Sequence, residues 1–335
     1  MGVTIRDIAK EANVSAATVS LVINNKNGVS EKTRNRVWKI VDKYNYRPSV
    51  QSKKKELNIA ILKYRVHGMA IEENQGFIAS ILDRIEHECH KCSCKTISRN
   101  CNAEHMASCI EEINRDEIDG VIAIGTELAQ KDYNSFFKFR PPVIVVDNSM
   151  VNYPFDSITM DNFSIMREAV LHLYALGHRQ IGYLKSNRPI SNLDERYEGY
   201  CRIIKELGLP RTQPISLTPT LNGAYADMTE YIKKEHSLKP SAVVADNDSI
   251  AIGAQKALIE AGFKLPEELS IVGVDDIPFS AVTTPSLTTM RISRSAMGAL
   301  AVDLLRNRIE HPNWPTMRFK VNGSLIVRNS TCQFR

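Results

Sequence analysis

The sequence predicts an α/β chain: a three-helix head followed by a two-lobed body built on parallel sheets. Three observations carry this. The first fifty residues hold three short segments of helical periodicity with marked breaks between them. Beyond residue 57, near-continuous apolar runs alternate with helical segments, the pattern of parallel strands covered on both faces. These units divide into two similar sets, from about 57 to 160 and from about 161 to 285.

In the head, Thr4 and Asp7 have the spacing of a capping box, and Ile5, Ile8, Ala9 and Ala12 fall on one helical face. Asn13-Val14 makes a turn. Ser15 caps a second helix with Val19, Val22 and Ile23 inward, and Ser30 opens a third with Val37, Ile40, Val41 and Tyr44 inward. Two helices joined by a short turn form a helix-turn-helix, whose second helix enters the major groove of DNA. Charge favours this over a plain helical bundle. Residues 1–56 carry twelve Lys or Arg against five Asp or Glu, so a basic head precedes a mildly acidic body.

In the body the strand signals are LNIAILKY, CKTIS, GVIAIG, PVIVVD, IGYLKS, SAVVAD and LSIVGVDD. Helices are predicted at 76–91, 103–115, 163–176, 195–207, 225–236 and 248–262. Each apolar run stops in polar residues: Lys63 or Tyr64, Gly125-Thr126, Asp147-Asn148, Lys185-Ser186, Asp246-Asn247-Asp248 and Asp275-Asp276. Ligands bind at the carboxyl ends of strands in open α/β sheets, so these tips are candidate pocket residues. Capping of the following helix explains Asp and Asn there equally well.

The 335 residues, 43% hydrophobic and 24% charged, are those of an ordinary globular protein. No apolar run reaches membrane-spanning length and no signal-peptide core is present, so a cytoplasmic protein with no membrane partner is expected. Five of the seven cysteines (Cys89, Cys92, Cys94, Cys101, Cys109) crowd into 21 residues among His87, His90 and His105. That spacing suits either a metal site or cysteine used as a small apolar residue, with Cys92 and Cys94 on one strand face. We assign neither metal nor cofactor.

The string TIRDIAKEANVSAATVSLVIN closely resembles the head of lactose-repressor-type (LacI/GalR) bacterial transcription regulators. The resemblance continues in ALGHRQIGYL (175–184), DERYEGY (194–200), ADNDSIAIGA (245–254), SIVGVDD (270–276) and PSLTTMR (285–291). It implies a periplasmic-binding-protein-like body in which the chain crosses back near 286–320 to complete the first lobe. The expected divisions are a head at 1–47, a hinge at 48–57 and a body at 58–335. Within the body, lobe 1 takes about 58–160 and 288–320, and lobe 2 about 161–287 and 321–335.

The resemblance also implies roles. Arg196, Asn247 and Asp275 match positions that bind the effector, and Tyr225 falls where some members place an aromatic ring. The segment 65–77 supplies the first-lobe wall and departs from the common pattern. In the second helix, Ala16, Ala17 and Leu21 match the positions presented to base edges, where apolar groups meet thymine methyls. Thr18 and Ser20 bond phosphates or bases. Thr4, Ser15, Thr33 and Arg34 lie near helix starts, where amides and charge meet phosphate, and Asn24 and Asn25 are further backbone contacts. In the hinge the family places a leucine that wedges into the minor groove; here Ser52, Lys53 and Lys55 stand at the matching positions. Lys53, Lys54 and Lys55 are expected to bind phosphates or to form a solvated linker.

The function implied is a sequence-specific regulator, most often a repressor. A homodimer would bind a pseudo-palindromic operator, controlled by a sugar-like or nucleoside-like effector between the lobes. The alternative is a regulator of the same fold that answers to a protein partner or to thiol oxidation. An enzyme is not expected. Gly120 to Gly125 has Walker spacing, but Thr126-Glu127 follows where Lys-Ser/Thr belongs, and neither GxGxxG nor GxSxG is present.

Overall fold

A computed structural model describes residues 3–23, 26–44, 46, 56–69, 76–235 and 239–334. The chain divides into two compact units, Met1–Lys55 and Glu56–Arg335.

The first unit holds α1 (Ile5–Ala12), α2 (Ala16–Ile23) and α3 (Glu31–Lys43). The Thr4–Asp7 capping box is formed: the Thr4 amide donates to Asp7 Oδ2 at 2.8 Å and the Asp7 amide to Thr4 Oγ1 at 3.3 Å. The Ser15 and Ser30 hydroxyls accept from the amides of Thr18 and Thr33 at 3.0 and 3.3 Å. Ile8, Ala12, Val19, Val22, Val37 and Val41 make the core. Tyr44 is a correction: it lies 40% exposed instead of inward. Helix α3 ends at Lys43, Tyr44 becomes its C-cap, and its ring sits beside the Lys43 ammonium. Tyr46 packs against the core in its place.

The second unit contains two six-stranded sheets. The first joins β1 (Asn58–Tyr64), β2 (Lys95–Cys101), β3 (Gly120–Ile124), β4 (Val143–Val146) and β5 (Asp156–Met160). Its helices are α4 (Phe77–Lys91) and α5 (Met106–Arg115). From α6 (Asn162–Ala175) the chain builds β6 (Ile181–Ser186), α7 (Ser191–Glu206), β7 (Ile215–Leu217) and α8 (Leu221–Glu235). It continues through β8 (Ala242–Ala245), α9 (Asp248–Glu260), β9 (Ser270–Asp275) and β10 (Thr288–Ile292). Helix α10 (Arg294–Glu310) returns to pack on α4, β3 and β4. Then β11 (Arg318–Val321) joins the first sheet and β12 (Gly323–Ile326) the second. The strand orders are β11-β5-β4-β3-β1-β2 and β12-β10-β9-β8-β6-β7. Chain order therefore runs in the same pattern through both. They differ at one edge, where β11 lies parallel to β5 but β12 antiparallel to β10.

The return to the first lobe begins later than the expected 288. Thr288–Ile292 pairs with β9 and β12, so it belongs to the second lobe, and the crossing follows Ile292. Strands β5, β7, β10, β11 and β12 were not among the predicted apolar runs. In β5 and β10 the buried Asp156, Ser157, Thr159, Thr288 and Thr289 hide the signal. The Asp156 carboxylate takes the Arg308 guanidinium at 2.7 and 2.9 Å, which makes its burial tolerable. β7 has three residues, the edge strand β11 is largely exposed and the edge strand β12 is mostly half-buried. Cys92 and Cys94 are not on a strand face: Cys92 caps α4 and Cys94 precedes β2.

Candidate functional site

The carboxyl ends of both sheets line one cleft. Phe77, Thr126, Asp147 and Met160 come from the first lobe; Ile190, Asn192, Leu193, Arg196, Pro219, Asn247 and Asp275 come from the second. Asp147 follows β4 and Asp275 ends the equivalent strand β9, and both turn the chain through positive φ, at 65° and 114°. Left-handed backbone at a non-glycine residue is held only where its surroundings fix it, and it commonly marks functional sites.

Arg196, on α7, is 2% exposed. Its guanidinium donates to Asp275 Oδ1 at 3.1 Å and to the Asp246 carbonyl, and its Nε to Asn162 Oδ1 at 3.1 Å. A buried cation needs such pairing. Asp147 accepts from Thr126 Oγ1 at 2.6 Å and from Asn192 Nδ2 at 2.8 Å. Asn192 belongs to the second lobe, so this bond spans the cleft. Asn148 Nδ2 to Ser191 Oγ, at 3.1 Å, and Ser149 Oγ to Glu195 Oε1, at 2.9 Å, span it beside Asn192.

The cleft region is rich in buried carboxylates. Burial pushes the Asp147 carboxyl up to about 7, against the pull of Thr126 and Arg196. Burial also raises Asp275, against Arg196. Beneath the floor, burial lifts Asp246 to about 6 and Asp248 to about 7. Asp248 is held by the Ile277 amide and the Ser280 and Thr289 hydroxyls, at 3.0, 2.6 and 2.5 Å. Gly273 leaves the room this needs: a Cβ there would lie 2.2 Å from Asp248 Oδ1.

Of the expected effector residues, Arg196, Asn247 and Asp275 lie together in the cleft. Asn247 also caps α9, its Oδ1 accepting from the Ile250 amide at 2.9 Å, so the capping and pocket readings both apply. Tyr225 is a correction. It sits on α8, away from the cleft lining, and its hydroxyl donates to Glu260 at 2.5 Å. The α8 register aims its ring at α9 instead of along the strand ends. Asn192 was missed because α7 begins at Ser191, four residues before the predicted start. Phe77 is the last residue of the segment 65–77 expected as the first-lobe wall, and it lines the cleft. Asp147 and Thr126 were legible only as polar strand tips.

In the head, Ala16, Ala17 and Leu21 are exposed on α2, Leu21 at 38%, while Val19 and Val22 are buried. Thr18 and Ser20 are half-buried. Thr4 and Ser15 are exposed and serve as caps. Thr33 and Arg34 open α3, and Arg34 Nη2 donates to the Lys26 carbonyl at 2.7 Å. Asn24, Asn25, Lys53, Lys54 and Lys55 lie outside the described residues.

All seven cysteines are free thiols. Cys89 is buried, which raises its thiol to about 12, and Cys101 and Cys109 are also buried. Among the described residues, no group of three or more His, Cys, Asp or Glu is arranged to hold a metal ion. No described helix is long and apolar enough to cross a membrane.

Comparison with known proteins adds identity to this geometry. Residues 4–49 match the family model of bacterial regulatory proteins, lacI family, and residues 170–331 match a periplasmic binding protein-like domain. The HTH-type transcriptional repressor PurR of Pasteurella multocida is 29% identical over 336 residues, covering 98% of each chain. The HTH-type transcriptional regulator GalS of Salmonella typhimurium is 29% identical over 306 residues, covering 90% of this chain and 88% of its own. Among solved structures, the lac repressor dimer bound to operator and an anti-inducer matches with a TM-score of 0.72. The identity is 24%, and the match covers 99% of this chain and 100% of that one. A LacI family regulator from Enterococcus faecium with bound ribose matches at 0.70 with 25% identity, covering 83% and 100%. The chain belongs to the lacI family of bacterial regulatory proteins.

Proposed function

We propose that this chain represses transcription by binding a pseudo-palindromic operator as a homodimer, under control of a small effector held between its lobes. The cleft carries this reading. Asp147 and Asp275 reach into it from equivalent strand ends on opposite lobes, with Arg196 between the sheets. Direct hydrogen bonds cross it through Asn192, Ser191 and Glu195. A molecule that competes for these groups changes how the lobes are held, and differential binding to two lobe arrangements is what couples effector to DNA. The relatives' names support a repressor, and the ribose-bound relative supports a sugar-sized effector.

On DNA, Ala16, Ala17 and Leu21 meet base edges, Thr18 and Ser20 add polar contacts, and the first turns of α1–α3 face phosphates through Thr4, Ser15, Thr33 and Arg34. Asn24, Lys53 and Lys55 extend the backbone contacts, with residues 48–57 as hinge. The protein acts by binding instead of catalysis, in the cytoplasm where its DNA is. Selection from sheared genomic DNA at moderate salt tests this. A sharp inverted-repeat motif supports it; retention without sequence preference contradicts it.

A further inference from the structure

Outside the cleft lining, one buried carboxylate has contacts that its neighbours do not. Glu127 follows Thr126, which does line the cleft, and its side chain is 1% exposed. Oε2 accepts three consecutive backbone amides, from Val66, His67 and Gly68, at 2.7, 2.9 and 3.0 Å. Oε1 lies 3.0 Å from His67 Nδ1. That nitrogen is also 3.2 Å from the Met69 amide. Gly68 has φ 79°, which turns the three amides inward on one point. Successive amides converging in this way form a nest, a concavity that binds anions.

The nest lies just past the carboxyl end of β1, in the segment that leads toward Phe77 of the cleft. We propose that Glu127 is a resident anion: it fills the nest, positions the Val66–Gly68 wall, and so restricts the effector to uncharged or cationic molecules. An effector phosphate or carboxylate meets a donor site already occupied and, in the cleft lining, the buried Asp147 and Asp275. Like charges so placed repel an anion, and the amides of Val66, His67 and Gly68 are already committed to Glu127. This deepens the effector-cleft reading and rests on it, but its test needs no identified effector.

The full chain is compared with E127A and with E127Q, which keeps the side-chain volume. Two readouts are used: amide hydrogen exchange and thermal shift in phosphate against chloride at matched ionic strength. In the wild type, amides 66–68 are protected and phosphate adds nothing beyond chloride. In E127A their exchange rises at least tenfold, and phosphate raises the melting temperature and restores the protection. E127Q shows the faster exchange while peptides from both sheets stay unchanged, which separates loss of the nest from unfolding. Unchanged exchange at 66–68 in both variants overturns the proposal. So does a phosphate response that is the same in wild type and E127A. Failure of the effector reading would appear elsewhere, as DNA binding that no small molecule alters while these exchange results stand.

Discussion

The two lobes share one strand order yet use their strand-end acids differently. In the second lobe, Asp246 and Asp248 are fastened almost wholly within their own lobe, by Tyr183, the Ser186 amide, the Ile277 amide, Ser280 and Thr289. In the first lobe, Asp147 is held in part from across the cleft, by Asn192. A correspondence survives between them. Asp246 just past β8 accepts the Ser186 amide at the end of β6, and Glu127 past β3 accepts three amides past β1. The longer side chain reaches a whole nest where the shorter one reaches a single donor. The second lobe therefore works as a self-contained base, and the first presents groups whose satisfaction depends on closure. Ligand binding should register most strongly in the first lobe's contacts.

The largest effect should come from breaking the buried ion pair within the second lobe. Arg196→Met leaves Asp275 buried without its cation, and urea denaturation should show a loss of about 3–5 kcal/mol. A loss under about 1 kcal/mol would mean that water or another group replaces the guanidinium.

Asp147→Asn sharpens the contrast through pH. The Asp147 carboxyl sits near 7 in the fold and near 3.8 when unfolded. Between those values the native state binds more protons, so stability falls as pH rises toward 7 and stays low above it. Asparagine removes this penalty. The variant should gain on the order of 2 kcal/mol over wild type at pH 8 and much less at pH 5, measured by denaturation at both pH values. An equal difference at the two would contradict an ionising, cleft-facing Asp147.

A smaller effect is expected at the helix contact that closes the first lobe. Gly298 of α10 lies where a Cβ would come within 2.9 Å of the Ile81 carbonyl on α4. Gly298→Ala should lower stability by about 1–2 kcal/mol despite alanine's better helix propensity. The smallest should be Tyr225→Phe. It deletes an exposed bond to Glu260 and should leave both the urea midpoint and the effector response unchanged within error.

Much of this was legible in the sequence. The helix starts in the head were readable because Thr4, Ser15 and Ser30 are caps whose chemistry is local. The buried runs of β1, β3, β8 and β9 were readable because nearly all of their residues are apolar or small. β5 and β10 were not, since their buried Asp and Thr side chains are satisfied by Arg308, Met317 and Asp248, partners distant in sequence. For the same reason the cleft was only half legible. Arg196, Asn247 and Asp275 followed from motif resemblance, whereas Asn192 depended on where α7 begins. Tyr225 failed because one helical register decides whether a ring faces a cleft or a neighbouring helix.

The most direct test of the account uses operator fragments recovered by genomic selection and a panel of sugars, nucleobases and sugar phosphates. Operator affinity is measured with and without each compound, for wild type and for Asp275→Asn. The account predicts that at least one uncharged compound shifts wild-type affinity tenfold or more, that sugar phosphates do not, and that Asp275→Asn binds operator but loses the shift. Operator binding that no compound alters, or a shift that survives in Asp275→Asn, would contradict it.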